Sequence, residues 1–363
     1  MRKKMLALLM VMALGTATLV GCGGNSNSGD SNDAKTEQDA NKEDTEGEDS
    51  KEKDFSVSMV TDVGGVNDQS FNQSAWEGLQ EFKKKTGAEV SYLESTQESD
   101  YSPNLDKQVE EGKDLVWGIG FAMADAVKES AEMNPEVHYA IIDNAYEETP
   151  ENLTGVVFNA QDPSFMVGYV AALSTKEDKV GFVGGMHSAV IDQFEYGYRA
   201  GVAYGAKELK KDIEVKVQYA ESFSDSAKGK AIATKMYSDG CDIVFHAAGN
   251  VGTGVIEAAK EAGKFAIGVD RDQSDLAPEN VLTSALKLVN VAIELVSEKA
   301  MNGEEIGGKT YTFGLAEGAV GIPENNPNMD KEVYEKTMAI KDKIANKEIT
   351  PPYNEETFND FAL

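Results

Sequence analysis

From residue 55 onward, short apolar runs alternate with amphipathic stretches. Residues 55–61 read Phe-Ser-Val-Ser-Met-Val-Thr, the alternation of a strand, and a Gly-rich loop follows. Phe71, Ala75, Trp76, Leu79 and Phe82 then share one face of a helix that Gly87 stops. Glu89–Leu93 and Leu115–Ile119 read as further strands. A helix from Phe121 must end before Pro135, and residues 137–142 form a strand running into Asp143-Asn144. The pattern restarts in the second half. Residues 180–185 make a strand, 191–209 a helix, and 213–220, 242–247 and 265–269 three more strands. Strand, loop and helix in repetition predict an α/β fold of parallel sheets with helices on both faces. The restart predicts two Rossmann-like lobes. A short echo fits this duplication: Asp68-Gln-Ser-Phe71 follows Gly64-Gly65, and Asp192-Gln-Phe194 follows Gly184-Gly185. The boundary is expected near residues 159–163, with the chain crossing back near Leu282. The first lobe is then 55–158 plus about 283–308, and the second 159–282 plus about 309–363.

The first 54 residues break this pattern. Arg2-Lys3-Lys4 precedes an apolar run that ends in Leu19-Val-Gly-Cys22. A basic start, a short apolar stretch and small residues make residues 1–21 a secretory signal, too short and wrongly flanked for a spanning helix. A Cys after Leu-x-Gly resembles the lipobox of bacterial lipoproteins, in which that Cys carries the lipid. Cys22 is therefore the expected lipidation site, and the protein is expected on the extracytoplasmic face of the cell membrane. Residues 23–54 contain no aromatic residue and no Val, Ile, Leu or Met. Such a segment cannot bury enough apolar surface to offset its ordering entropy, so 22–54 is expected to be a disordered acidic tether.

Composition narrows the function classes. The 363 residues carry a net charge of −29, which argues against binding nucleic acid through its phosphates. There are two Cys, and with Cys22 lipidated no disulfide remains; Cys241 opens an apolar run and reads as a small buried hydrophobe. His138, His187 and His246 lie far apart without zinc-like spacing, so no metal and no cofactor are expected. No Gly-x-Ser-x-Gly elbow, His-Glu-x-x-His helix or Walker loop occurs. The candidate chemistry lies beyond the carboxyl ends of the predicted strands, where parallel α/β lobes bind ligands. Asp62, Asp143, Phe223, Gly249-Asn250 and Asp270 all occupy such positions. Taken singly, each Asp also suits a helix N-cap; as a set on two facing lobes they converge on one cleft.

Residues 60–78, Val60-Thr-Asp-Val-Gly-Gly-Val-Asn-Asp-Gln-Ser-Phe-Asn-Gln-Ser-Ala-Trp-Glu-Gly78, closely resemble the first signature of the basic membrane protein family. The likeness continues through Ala140-Ile-Ile-Asp143, Ala247-Ala-Gly-Asn-Val-Gly-Thr-Gly254, Gly268-Val-Asp-Arg-Asp-Gln273 and Phe313-Gly-Leu-Ala-Glu-Gly-Ala-Val-Gly-Ile322, in the family's order. These are lipoprotein solute-binding components of ABC transporters, and some bind purine nucleosides. The resemblance implies a type I periplasmic-binding-protein-like hinge closing on a nucleoside that is delivered to an ABC permease. It makes Phe71 and Phe223 the two faces of an aromatic sandwich around the base. It implies that Asp62, Asn72 and Asp143 read the base edge, and that Asp270, Lys287 and the Gly249 backbone hold the ribose. One departure is Asn250, where many relatives have Gly; a side chain there is expected to narrow the ribose pocket. The alternatives are a sugar or other small polar ligand, a sensory protein of the same fold, and a hydrolase, for which Asp270 and Asp272 alone are thin support.

Overall fold

A computed structural model describes residues 55–362. The expected signal segment, Cys22 and the tether lie outside the described residues. The first part of the chain runs β1 (Ser56–Thr61), α1 (Phe71–Thr86), β2 (Glu89–Leu93), α2 (Tyr101–Glu110), β3 (Leu115–Ile119), α3 (Ala124–Met133), β4 (His138–Ile142) and β5 (Leu153–Phe158). It continues with α4 (Gln161–Ser174), β6 (Lys179–Gly184), α5 (Ala189–Leu209), β7 (Glu214–Tyr219), α6 (Ser226–Ser238), β8 (Ile243–Ala247), α7 (Val251–Ala262), β9 (Phe265–Asp270) and β10 (Val281–Lys287). It ends with α8 (Val289–Met301), β11 (Lys309–Phe313), β12 (Val320–Gly321), α9 (Lys331–Ala345) and α10 (Glu355–Asn359).

Two six-stranded sheets form, with spatial orders β11-β5-β4-β3-β1-β2 and β12-β10-β9-β8-β6-β7. All neighbours are parallel except β12, which runs antiparallel to β10. Each lobe is therefore doubly wound, with the strand order reversing beside its first strand, at β1/β3 and at β6/β8. Such switch points open a crevice at the carboxyl ends of the strands. The central strands are buried on both faces, which is why they read as nearly continuous apolar runs. Two apolar clusters sandwich each sheet. In the first lobe one joins β1, β3 and β4 to α1 and α8 and the other joins them to α2 and α3. Wholly buried Trp117 ties β3 to α8 through Nε1–H donated to Ser297 Oγ, 3.1 Å.

The crossing points differ from those expected. Val281–Lys287 pairs with β9, so the chain leaves the second sheet at Leu288 rather than near 282. Residues 309–313 were expected in the second lobe, yet β11 pairs with β5 at the edge of the first sheet. β10 joins the second sheet between β9 and β12, and β11, Lys-Thr-Tyr-Thr-Phe, forms the edge of the first; nothing in their own sequence specifies which of two similar sheets they join. The three crossings lie side by side: Asn159 N–H donates to Phe313 O at 2.9 Å, and Leu288 N–H to Ala319 O at 2.8 Å. Cys241 is buried, as its apolar run suggested, and burial pushes its thiol up to about 11. None of the described helices is long and apolar enough to cross a membrane.

Candidate functional site

The two switch points face each other across a cleft of about 850 Å³, counting its open mouth. All eight ligand-binding candidates line it: Asp62, Phe71, Asn72, Asp143, Phe223, Gly249, Asp270 and Lys287. They come from strand ends, loops and the start of α1, far apart in sequence, and the sheets aim them at one space.

Asp62 follows β1. Its Oδ1 accepts N–H bonds from Gly64 (2.9 Å) and from the Asn72 side chain (2.8 Å). Burial pushes this carboxyl up to about 6, against the pull of those two donors. Gly120, at the end of β3, keeps the space open; a Cβ there would sit 3.2 Å from Asp62 Oδ2 and 3.5 Å from the Phe71 ring. Phe71 opens α1, half in the cleft and half packed on the first lobe's core. Its entry angle is set by Asp68, which accepts from the backbone N–H groups of Ser70, Asn72 and Gln73 at 2.8–3.1 Å. Those of Asn72 and Gln73 are orphan donors of the first helical turn, so Asp68 caps α1 from two residues ahead of its N-cap residue, Ser70.

Asp143 follows β4, and Asp270 ends β9, the strand at the same place in the other sheet. Both have φ of +66°. Asp tolerates this left-handed conformation better than most residues do, and it turns each strand end sharply into the cleft. The Asp143 carboxylate lies 2.5 Å from Lys287 Nζ, and both side chains are almost wholly buried. The Lys287 ammonium also sits 4.6 Å from the Phe71 ring centre, 5.5 Å from that of Phe158 and 5.8 Å from that of Phe194. Asp270 accepts a hydrogen bond from Ser70 Oγ, across the lobes. Burial pushes the Asp270 carboxyl up to about 6, and Lys287 and Ser70 oppose that shift.

Phe223 lies in the loop after β7, edge-on to Phe121 of the first lobe with ring centres 6.3 Å apart. Gly249 has φ of +55°, and a Cβ there would meet the Phe223 carbonyl at 3.1 Å. The expected narrowing by Asn250 does not occur. Its amide turns away to donate to Ser224 O, in the loop after β7, at 3.1 Å, and the neighbouring glycine forms the cleft wall.

Other contacts also join the lobes here. Gln273 Nε2–H donates to Gln69 O at 2.9 Å, and Arg271 pairs with Glu77 at 3.3 Å. His246 is structural: wholly buried, it meets Gln273 Oε1 at 3.0 Å, and burial holds its pKa down near 4. The Gln273 carbonyl already accepts from Val269 N–H, so it takes a second proton from His246 Nε2, which fixes the tautomer. Asp68, Phe194 and Phe121 are among the lining residues that the sequence did not mark as site members. Asp68 and Phe194 stood only in the Gly-Gly echo, and Phe121 had nothing but its place after a strand.

In chemical terms the cleft offers flat apolar walls, acceptor-rich strand ends and one ammonium. It can stack a planar ring and take up several N–H and O–H donors. Among the described residues no group of three or more His, Cys, Asp and Glu is arranged to hold a metal ion.

Comparison with known proteins agrees with this architecture. The sequence model of a family described as Bmp, ABC transporter substrate-binding protein PnrA-like, matches residues 55–355. The chain is similar to basic membrane protein A of Borreliella afzelii, 43% identical over 310 residues that span 84% of this chain and 94% of that one. It is also similar to the ABC transporter nucleoside-binding protein BmpA of Lactococcus lactis subsp. cremoris, 37% identical over 97% of this chain and 99% of that one. Among solved structures, an ABC transporter solute-binding protein from Aeropyrum pernix K1 superposes with a TM-score of 0.76 at 26% identity, covering 84% of this chain and 96% of that one.

Proposed function

The chain belongs to the Bmp family of ABC transporter substrate-binding proteins, and from that premise we propose that it captures a purine nucleoside between its lobes and delivers it to an ABC permease. The family is one of binding proteins rather than enzymes. The observation that carries the ligand is the pairing, in one cleft, of Phe71 and Phe223 from opposite lobes with carboxylates at the strand ends. Stacking holds any base, at roughly 1–3 kcal/mol. The carboxylates, which only accept, then select for a donor-bearing edge and for ribose hydroxyls. Four buried or half-buried Asp face a single Lys, a balance that disfavours phosphorylated nucleotides.

The deciding experiment is a thermal-shift panel of guanosine, inosine, adenosine, free bases and sugars on residues 55–363. A ligand at 100 times its Kd should stabilise the fold by about 2.7 kcal/mol. Stabilisation by sugars alone would reject the nucleoside reading. The panel also has an expected pH dependence. Asp62 and Asp270 titrate near 6, above the unfolded value of 3.8. Their contribution to ligand-free stability is full below about pH 4 and is lost as pH rises through about 6. Ligand donors need the ionised carboxylates, so affinity should move the other way. If one such carboxylate must be ionised, binding at pH 5 is about tenfold weaker than at pH 7.5. A nucleoside affinity that is flat from pH 5 to 7.5 contradicts the use of these two groups.

We place the mature protein on the outer face of the cell membrane, held by lipid on Cys22, on the strength of the Leu19-Val-Gly-Cys22 sequence. In cells, Cys22→Ala should shift the protein out of the membrane fraction or leave its precursor uncleaved. Normal processing and membrane retention of that variant would remove the anchor.

A further inference from the structure

Asn72 is 1% exposed and Asp68 is 2% exposed, so neither presents much surface to a ligand. Both hydrogens of the Asn72 amide are in use: Nδ2 donates to Asp62 Oδ1 at 2.8 Å and to Asp68 Oδ2 at 3.1 Å. Two carboxylates flank this atom, so it must be the nitrogen; the flipped amide would set its carbonyl against two acceptors. The Asn72 Oδ1 is buried without a partner. Asp68 cannot swing, because the backbone N–H groups of Ser70, Asn72 and Gln73 at the start of α1 hold its two oxygens. The chain of constraint therefore runs from the α1 backbone to Asp68, from Asp68 to Asn72, and from Asn72 to Asp62. At its end, Asp62 Oδ1 is saturated by Asn72 and Gly64, while Oδ2 lies on the Gly120 side of the cleft with no hydrogen bond from the described residues.

Building on the nucleoside reading, we propose that Asp68 is a positioning residue for ligand selectivity, acting through the Asn72 amide to hold Asp62 with one oxygen spent on the protein and the other offered to the donor edge of the base. Asn72 is then a strut for Asp62 rather than a reader of the ligand.

The test compares inosine, which carries a ring N–H, with purine riboside, which has the same rings and ribose but lacks that donor. In Asp68→Asn, the amide at 68 faces the amide at 72 and the strut is lost. Titration calorimetry should show inosine weakened about tenfold and purine riboside less than twofold. A residue that only capped α1 would weaken both ligands by one factor and lower the melting temperature; that result, or no change for either, overturns the proposal. Should Asp68→Asn fail to fold, Asn72→Ala replaces it. That variant leaves all three backbone bonds of Asp68 in place and should show the same collapse of the inosine-to-purine-riboside ratio; an unchanged ratio overturns the proposal equally. A ligand-free arm separates this inference from the nucleoside reading. The Asn72 donor holds the Asp62 carboxyl down, while burial and the charges of Asp68 and Asp143 hold it up. Carboxyl NMR titration of Asn72→Ala should therefore move the Asp62 midpoint upward from about 6. An unmoved midpoint sinks the proposal whether or not nucleosides bind. Wild-type protein that binds neither nucleoside, with the midpoint shifted as stated, sinks the nucleoside reading and leaves the strut standing.

Discussion

Phe223→Ala should weaken nucleoside binding about tenfold to a hundredfold and leave the fold intact. The ring sits in a loop between β7 and α6, half-exposed in the cleft, and touches the second lobe's core only at its margin. Removing it takes away one stacking face, worth roughly 1–3 kcal/mol per base. Free ribose lacks the flat ring and should be little affected. Phe71→Ala tests the other face less cleanly, because Phe71 also packs on the core of the first lobe. A sharper companion is Gly185→Ala, which leaves the aromatic in place. A Cβ at Gly185 would lie 2.1 Å from Phe223 Cε1, so the ring must swing out of its present position. Both variants should melt close to wild type and bind nucleosides alike weakly. Wild-type affinity in a stably folded Phe223→Ala would remove the sandwich, and with it the main physical reason to prefer a purine.

Lys287→Met should cost about 3–5 kcal/mol of stability at pH 7.5. The Lys287 ammonium and the Asp143 carboxylate are 2.5 Å apart, with 3% and 7% of their side chains exposed. Deleting one member of a buried pair strands the other without compensation, and that penalty typically reaches 3–5 kcal/mol. Here the stranded carboxylate also has Asp62 and Asp270 for neighbours in the same cleft. Lys287 helps keep Asp270 ionised, so its loss lifts that carboxyl further above its unfolded value. A folded-state pKa raised in this way favours the fold below the unfolded pKa and loses that benefit as pH rises. The deficit should accordingly be smaller at pH 5 than at pH 7.5. The double variant Lys287→Met/Asp143→Asn should recover part of it, since Asn removes the charge and still tolerates φ of +66°. Denaturant unfolding at the two pH values measures all of this. A loss below about 1 kcal/mol that does not vary with pH would show that the pair is solvated and energetically minor.

Much of the fold was legible because buried parallel strands leave unmixed apolar runs. Residues 115–119, 137–142 and 242–247 could be recognised as strands from those runs. The breaks after them marked the cleft, because backbone groups at the carboxyl ends of strands are left for ligands and caps. Phe71 could be placed on a helix face by spacing, and it proved to open that helix and to sit half on its core. What misled the reading was membership. The strands at 281–287 and 309–313 have the right composition for either sheet, and hydrogen-bond pairing over long sequence separations assigned them opposite to the expected crossings. Asn250 misled for a similar reason: its amide bonds the carbonyl of Ser224, in a loop that only the fold brings beside it.

The chain by itself determined the periodicities, the alternation of strands and helices, the placement of Asp and Phe at strand ends, and the family signatures, because each is written in residues close together in sequence. Tertiary structure alone decided that Asp143 meets Lys287, that Ser70 reaches Asp270 across the lobes, and that Asp68 holds Asn72 against Asp62. Those pairings depend on two sheets being held face to face by three crossing segments. Their electrostatics depend on burial, which lifts Asp62 and Asp270 to about 6 and which no local pattern of residues encodes.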